Sequence, residues 1–168
     1  MQIIAYINAD GGVSIVVPAP GARRQVIVTE ASFVPRAVEG SDPVTYEAVM
    51  IPAEVRDETD EEFVAWVASK DVPAGIDYKI ADISSVPSSD DALPAWFSGL
   101  GKKAGTGIGH DAWSAQEATA AAARNAALQT AHDTLAAQLD QQNAAALAAW
   151  VAAHPAPTED EAEQPAVA

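Results

Sequence analysis

The chain has 168 residues, no cysteine, and 24 acidic against 9 basic side chains, for a formal charge of -15 at neutral pH. That length holds one ordinary domain, or a small domain with an extended element, and hardly two full cores. The missing cysteine excludes disulfides, thiolate metal sites and cysteine nucleophiles, and the negative charge repels phosphate, so neither nucleic acid nor an anionic membrane is expected as a partner. Hydrophobic residues make up 49% of the chain, but aromatics only 6%. Much of the apolar fraction is alanine, which buries little surface, so the expected core is small.

The opening run Met1-Gln-Ile-Ile-Ala-Tyr-Ile-Asn8 lacks the basic start and longer apolar stretch of a signal peptide. The expectation is a chain made and kept in the cytoplasm, or built into a particle there. Gln2–Ile7 and residues 13–17 are β-branched runs separated by Asn8-Ala-Asp10-Gly11-Gly12, and Asp-Gly supplies the positive φ of a tight hairpin turn. Pro18 and Pro20 end the second strand, because proline cannot donate to a ladder. Gln25–Thr29 reads as a third strand and residues 45–51 as a weaker one.

From Asp57 the period changes. Asp57, Glu58, Asp60, Glu61 and Glu62 precede Phe63, Val64, Trp66 and Val67, with Lys70 at the far end. Thr59 and Glu62 fit a capping box, and acids before a cation suit the helix dipole, which predicts a short amphipathic helix with Trp66 in the core. Asp71-Val-Pro-Ala-Gly75 breaks it, and residues 77–83 alternate as a half-buried strand in which Tyr78, Ile80 or Ile83 faces inward.

Residues 88–111 are dense in glycine, proline and serine and read as linker or ordered loop. Ser114 and Glu117 form a second capping-box match, and no glycine or proline follows before Pro155. A helix over residues 112–154 is therefore predicted, roughly 60 Å long. Leu128, Leu135, Leu139, Ala146 and Trp150 lie near one stripe at heptad or hendecad spacing. Such a seam points to a coiled coil or bundle with copies of the chain, a dimer or trimer, or with another protein. The other reading is a helix folded back on its own domain. Residues 155–168 form an acidic, proline-bearing tail expected to be disordered. The fold class that follows is α+β: a β-rich adaptor domain over residues 1–87, a linker over 88–111, the long helix over 112–154 and the tail.

Little here points to chemistry. His110-Asp111 is the best acid–base pair, yet Asp111 at a loop-to-helix junction reads first as a cap. His132-Asp133 and His154 are weaker. The acidic run at 57–62 lacks the turn glycine of a calcium loop, and reads as a solvated helix start. Gly99-Leu-Gly-Lys-Lys and Gly105-Thr-Gly-Ile-Gly miss the order of a phosphate-binding loop, so a hinge is expected, with Lys102 and Lys103 in water. No catalytic, metal-ligating or cofactor-binding residue is assigned. The interface candidates are Trp96, Trp113, Leu128, Leu135, Leu139 and Trp150, since tryptophans outside a core are typical anchors between proteins.

Residues 58–87, Glu-Thr-Asp-Glu-Glu-Phe-Val-Ala-Trp-Val-Ala-Ser-Lys-Asp-Val-Pro-Ala-Gly-Ile-Asp-Tyr-Lys-Ile-Ala-Asp-Ile-Ser-Ser-Val-Pro, preceded by the hairpin at residues 3–17, resemble small proteins of tailed bacteriophages encoded among tail and tail-fibre genes. In those a hairpin, an acidic helix, a Lys-Asp-Val-Pro-Ala-Gly-like turn, a strand and an Ala-rich helix follow in that order. After Pro87 this chain departs from them, with a glycine-rich insert in place of a short aromatic stretch. The resemblance implies a virion structural protein whose partners are itself and other phage structural proteins, or an assembly chaperone absent from the mature particle. It transfers no functional residue.

Overall fold

The computed structural model describes residues 1–101 and 103–155. Its strands are β1 (Gln2–Ile7), β2 (Val13–Val16), β3 (Gln25–Thr29), β4 (Ser32–Ala37), β5 (Tyr46–Ile51), β6 (Glu54–Asp57), β7 (Asp77–Asp82) and β8 (Gly105–Thr106). The α-helices are α1 (Asp60–Asp71), α2 (Leu93–Gly99) and α3 (His110–Ala153). The α+β class is the one expected, strands first and the long helix last. The chain forms two compact units, one of Met1–Thr29 with Glu54–Arg124, the other of Glu30–Ala53 with Asn125–Ala168. Both are discontinuous in sequence, and α3 contributes to each.

In the first unit four antiparallel strands lie in the order β2-β1-β7-β8. The turn between β1 and β2 is drawn together by Asn8, whose Oδ1 accepts the Asp10 and Gly12 N–H groups at 3.1 and 2.9 Å. Gly11 stands at φ +80°, the left-handed position that closes a three-residue hairpin loop. Strand β1 lies inside the sheet between β2 and β7, and its Ile3, Ile4 and Ala5 are fully buried. Ile4 packs with Phe63, Val64, Val67, Ala68 and Val72 of α1 and its end and with Tyr78 of β7. Helix α1 starts as its sequence predicts: Thr59 Oγ1 accepts the Glu62 N–H, and Glu62 Oε2 accepts the Thr59 N–H. Of the three residues expected to face inward from the strand at 77–83, Tyr78 is buried and Ile80 packs against the core, whereas Ile83 lies beyond β7 and is 39% exposed.

The stretch expected as a linker is built into the fold. Helix α2 receives the Lys79 ammonium, which donates to the Phe97 and Leu100 carbonyls at 2.9 and 3.0 Å. Strand β8 extends the sheet along β7, flanked by bonds from Ala104 N to Tyr78 O and from Gly107 N to Ile76 O. Its glycines are there for close approach rather than as a hinge. A Cβ on Gly105 would stand 3.0 Å from the Tyr78 hydroxyl, and one on Gly107 only 2.5 Å from the Val72 carbonyl oxygen.

Strands β3 and β6 make an antiparallel ribbon in the first unit, with a bulge between Ile27 and Thr29. Strands β4 and β5 make another in the second unit. Neither β4 nor β6 was expected; Pro35 in the one and the charges of Glu-Val-Arg-Asp in the other are uncommon in strands. Within the second unit, Asn143 of α3 meets Tyr46 of β5 with both ends of its amide. Its Oδ1 accepts the Tyr46 N–H at 2.9 Å and its Nδ2 donates to the Tyr46 carbonyl at 2.8 Å. Phe33 of β4 packs edge-on against His132, ring centres 4.9 Å apart.

Helix α3 begins at His110, so Ser114 lies inside it and is not its cap, and Asp111 sits in its first turn. The residue before it, Gly109, has φ +81° and packs against Ala74. The tail from residue 156 and Lys102 lie outside the described residues.

Candidate functional site

The densest constellation of charged and aromatic groups lies where β3, α1 and the start of α3 meet in the first unit. Glu58, just ahead of the Thr59 cap, is 3% exposed. Its Oε1 accepts the Arg24 N–H at 2.8 Å, and its Oε2 lies 3.5 Å from Arg24 Nε. A buried carboxylate demands such partners, because desolvating an unpaired charge is costly. The Arg24 guanidinium stacks over Trp66, 4.4 Å from the ring centre, and its Nη1 approaches Glu117 of α3 at 3.7 Å. Lys70, one turn after Trp66, lies over the same ring at 4.8 Å and over Trp113 at 5.8 Å. The two indoles meet edge to face at 6.0 Å.

Beside these groups opens a cleft of about 490 Å³, lined by Arg24, Val26, Trp66, Trp113, Gln116 and Glu117 among others. The indole N–H groups of Trp66 and Trp113 are buried and have no partner among the described residues. The cations already cover Trp66, so the cluster ties β3, α1 and α3 together through cation–π and ionic contacts.

The acidic run that reads as a solvated helix start is only partly solvated. Besides Glu58, Asp60 pairs with Arg23, and Glu62 takes Arg56 on both oxygens at 2.7 and 2.8 Å. Hydrogen bonds from Arg56, then from the Thr59 N–H, hold the Glu62 carboxyl down at about 2. Among the described residues no three potential metal ligands converge. Lys103 stays 59% exposed and pairs with Asp77, and with Thr106 it holds that carboxyl below its usual range. His110 packs beside Trp113 at 5.7 Å. His132 Nδ1 lies 3.0 Å from Asp133 Oδ1, and with the Gln129 amide it lowers the Asp133 carboxyl.

Of the interface candidates, Trp113 belongs to the cluster just described. Trp96 is half-buried on α2 and donates to Ser85 Oγ at 3.4 Å. Leu128, Leu135 and Trp150 are half-buried, and Leu139 is 4% exposed. Because His132 and Asn143 both face the β4–β5 ribbon, one hendecad apart, Leu135 and Leu139 between them lie on that same face. The stripe thus meets a ribbon of its own chain, and Trp150 stacks on His154 at 4.6 Å. Sequence reasoning missed Arg24 and Glu58. The one legible signal was Lys70 four residues after Trp66, spacing that puts a cation over a ring on one helix face. No protein-family model matches the chain, and no curated protein and no solved structure is significantly similar to it.

Proposed function

We propose that this chain is a non-catalytic structural component of a tailed-bacteriophage particle, in its tail, fibre or neck region. It docks on neighbours through its β part and self-associates with the help of its long helix. The phage assignment rests on the resemblance carried by residues 58–87. The assembly reading rests on one observation: the charged and aromatic groups of the first unit are spent in holding elements together, while large apolar side chains stay in solvent. Val28, Met50 and Val151 are each more than half exposed on ribbon strands and helix, apolar surface that a protein partner would cover. On α3, Leu147 and Val151 stay 52% and 54% exposed, among alanines. Small side chains there let a second helix come close. Among the described residues no helix is long and apolar enough to cross a membrane.

The test is a nonsense codon in the gene, in the phage that encodes it, with the particles viewed by electron microscopy. The proposal expects particles lacking a tail substructure. Complete, infectious particles would refute it. An assembly chaperone, the second reading, gives the same defect and differs in leaving no copy in the mature virion.

A further inference from the structure

The chain carries one Asp-Gly pair, Asp10-Gly11, and each of its three asparagines precedes alanine. Asp-Gly is the aspartyl pair most open to attack by its own main chain, because glycine puts no Cβ beside the amide nitrogen and lets the backbone turn freely. Both residues are exposed. Asp10 joins the β1–β2 turn only through its main-chain N–H, and its carboxylate has no partner among the described residues. Asp60, Asp77, Asp82 and Asp133 are each held by a neighbouring side chain. Gly11 has nothing within 4 Å of where a Cβ would stand, so no side chain of the fold shields the pair.

What restrains the turn is Asn8. Its Oδ1 accepts the Asp10 and Gly12 N–H groups, its carbonyl accepts the Gly11 N–H at 3.1 Å, and its own N–H donates to the Gly12 carbonyl at 2.9 Å. The Gly11 nitrogen must give up its proton to act as a nucleophile, and the bond to the Asn8 carbonyl holds that proton in place.

We propose that Asp10 is a site of spontaneous isomerisation to isoaspartate, and that the Asn8 clasp sets its rate. When the clasp opens, Gly11 N attacks Asp10 Cγ. The N–Cγ bond forms, a Cγ–O bond breaks, and the carboxyl's hydroxyl leaves with the amide proton as water, closing a succinimide ring. Water then adds back. At Cγ it restores aspartate. At the Asp10 main-chain carbonyl it breaks the bond from that carbon to Gly11 N, so the chain runs through Cβ and Cγ and the former carbonyl carbon becomes a free carboxylate. The new linkage is one carbon longer, so Gly11 and Gly12 no longer match their Asn8 acceptors, and the hairpin frays from its Ile7–Val13 end.

The test ages the full chain in mildly acidic buffer and digests it with trypsin, which releases residues 1–23 as a peptide with Asp10 as its single aspartate. The isoaspartyl form keeps the mass and shifts in chromatographic retention, and an isoaspartyl carboxyl methyltransferase transfers a labelled methyl group to it from S-adenosylmethionine. Label should build up in this peptide ahead of every other. It should appear about tenfold faster in Asn8→Ala, the change in open population that losing such hydrogen bonds allows. Asp10→Glu should take none, since its longer side chain would have to close a larger ring. Should Asn8→Ala not fold, the wild type in guanidinium chloride also lacks the clasp and should match or exceed that rate. No label in the wild-type peptide, label appearing first in another peptide, label persisting in Asp10→Glu, or a rate unchanged by loss of the clasp would overturn the inference.

Discussion

Replacing Gly107 by alanine tests whether the glycine-rich segment is a packed element or a hinge. The added Cβ would stand 2.5 Å from the Val72 carbonyl oxygen, 2.7 Å from that of Pro73 and 2.7 Å from Val72 Cγ1. Two of these neighbours are main chain, so the strand itself must withdraw by most of an ångström. That movement breaks the bond from Gly107 N to Ile76 O, 2.9 Å, and the bond from Gly75 N to Gly107 O, 3.0 Å. Losing them costs about 1 kcal/mol each, and overpacking adds about 1–3 kcal/mol. The total, about 3–5 kcal/mol, is a large share of the roughly 5–15 kcal/mol that holds a domain folded. With a urea slope of about 2 kcal/mol/M the unfolding midpoint should fall by about 2 M. Gly101 is the control: nothing lies within 4 Å of a Cβ there and its φ is not positive, so Gly101→Ala should stay within about 0.5 kcal/mol of the wild type, or gain slightly. Equal midpoints for the two variants would refute the packing argument and restore the hinge.

Other expectations follow from particular contacts. Thr59→Ala removes the cap of α1 and should cost about 1 kcal/mol in urea unfolding. Asn143→Ala frees both main-chain groups of Tyr46, so amide exchange at Tyr46 should accelerate and stability should fall by about 1–2 kcal/mol. The Glu62 carboxyl sits at about 2 in the folded chain, against about 4.3 when unfolded. Its contribution is therefore complete above the unfolded value and is lost as pH falls from about 5 towards 2. Circular dichroism through that range should show stability declining with acid, and Glu62→Gln should flatten the decline.

What the sequence disclosed was set by local chemistry. The Asp10-Gly11 turn, the Thr59 and Glu62 box and the breaker-free run of α3 each rest on neighbours a few residues apart, and each is present. Contacts between distant segments were illegible. Nothing near Glu58 announces that Arg24 buries it, and nothing in residues 99–109 tells a packing glycine from a flexible one. Strand β4 was hidden by Pro35, which is tolerated because it stands at an edge position with no ladder bond to donate. Ser114 and Glu117 imitate a cap only because Gly109 starts the helix a turn earlier. The leucine stripe was visible as a seam, but its periodicity is the same whether it meets another helix or a ribbon of its own chain.

The central claim is that the chain is a working part of a particle, and the composition of purified particles tests it most directly. If the proposal holds, a phage encodes this sequence, and quantitative mass spectrometry of its virions should find the chain in fixed proportion to the tail proteins. Particles free of the chain, with the chain recovered only from assembly intermediates in the infected cell, would contradict the structural assignment and leave the chaperone reading in its place.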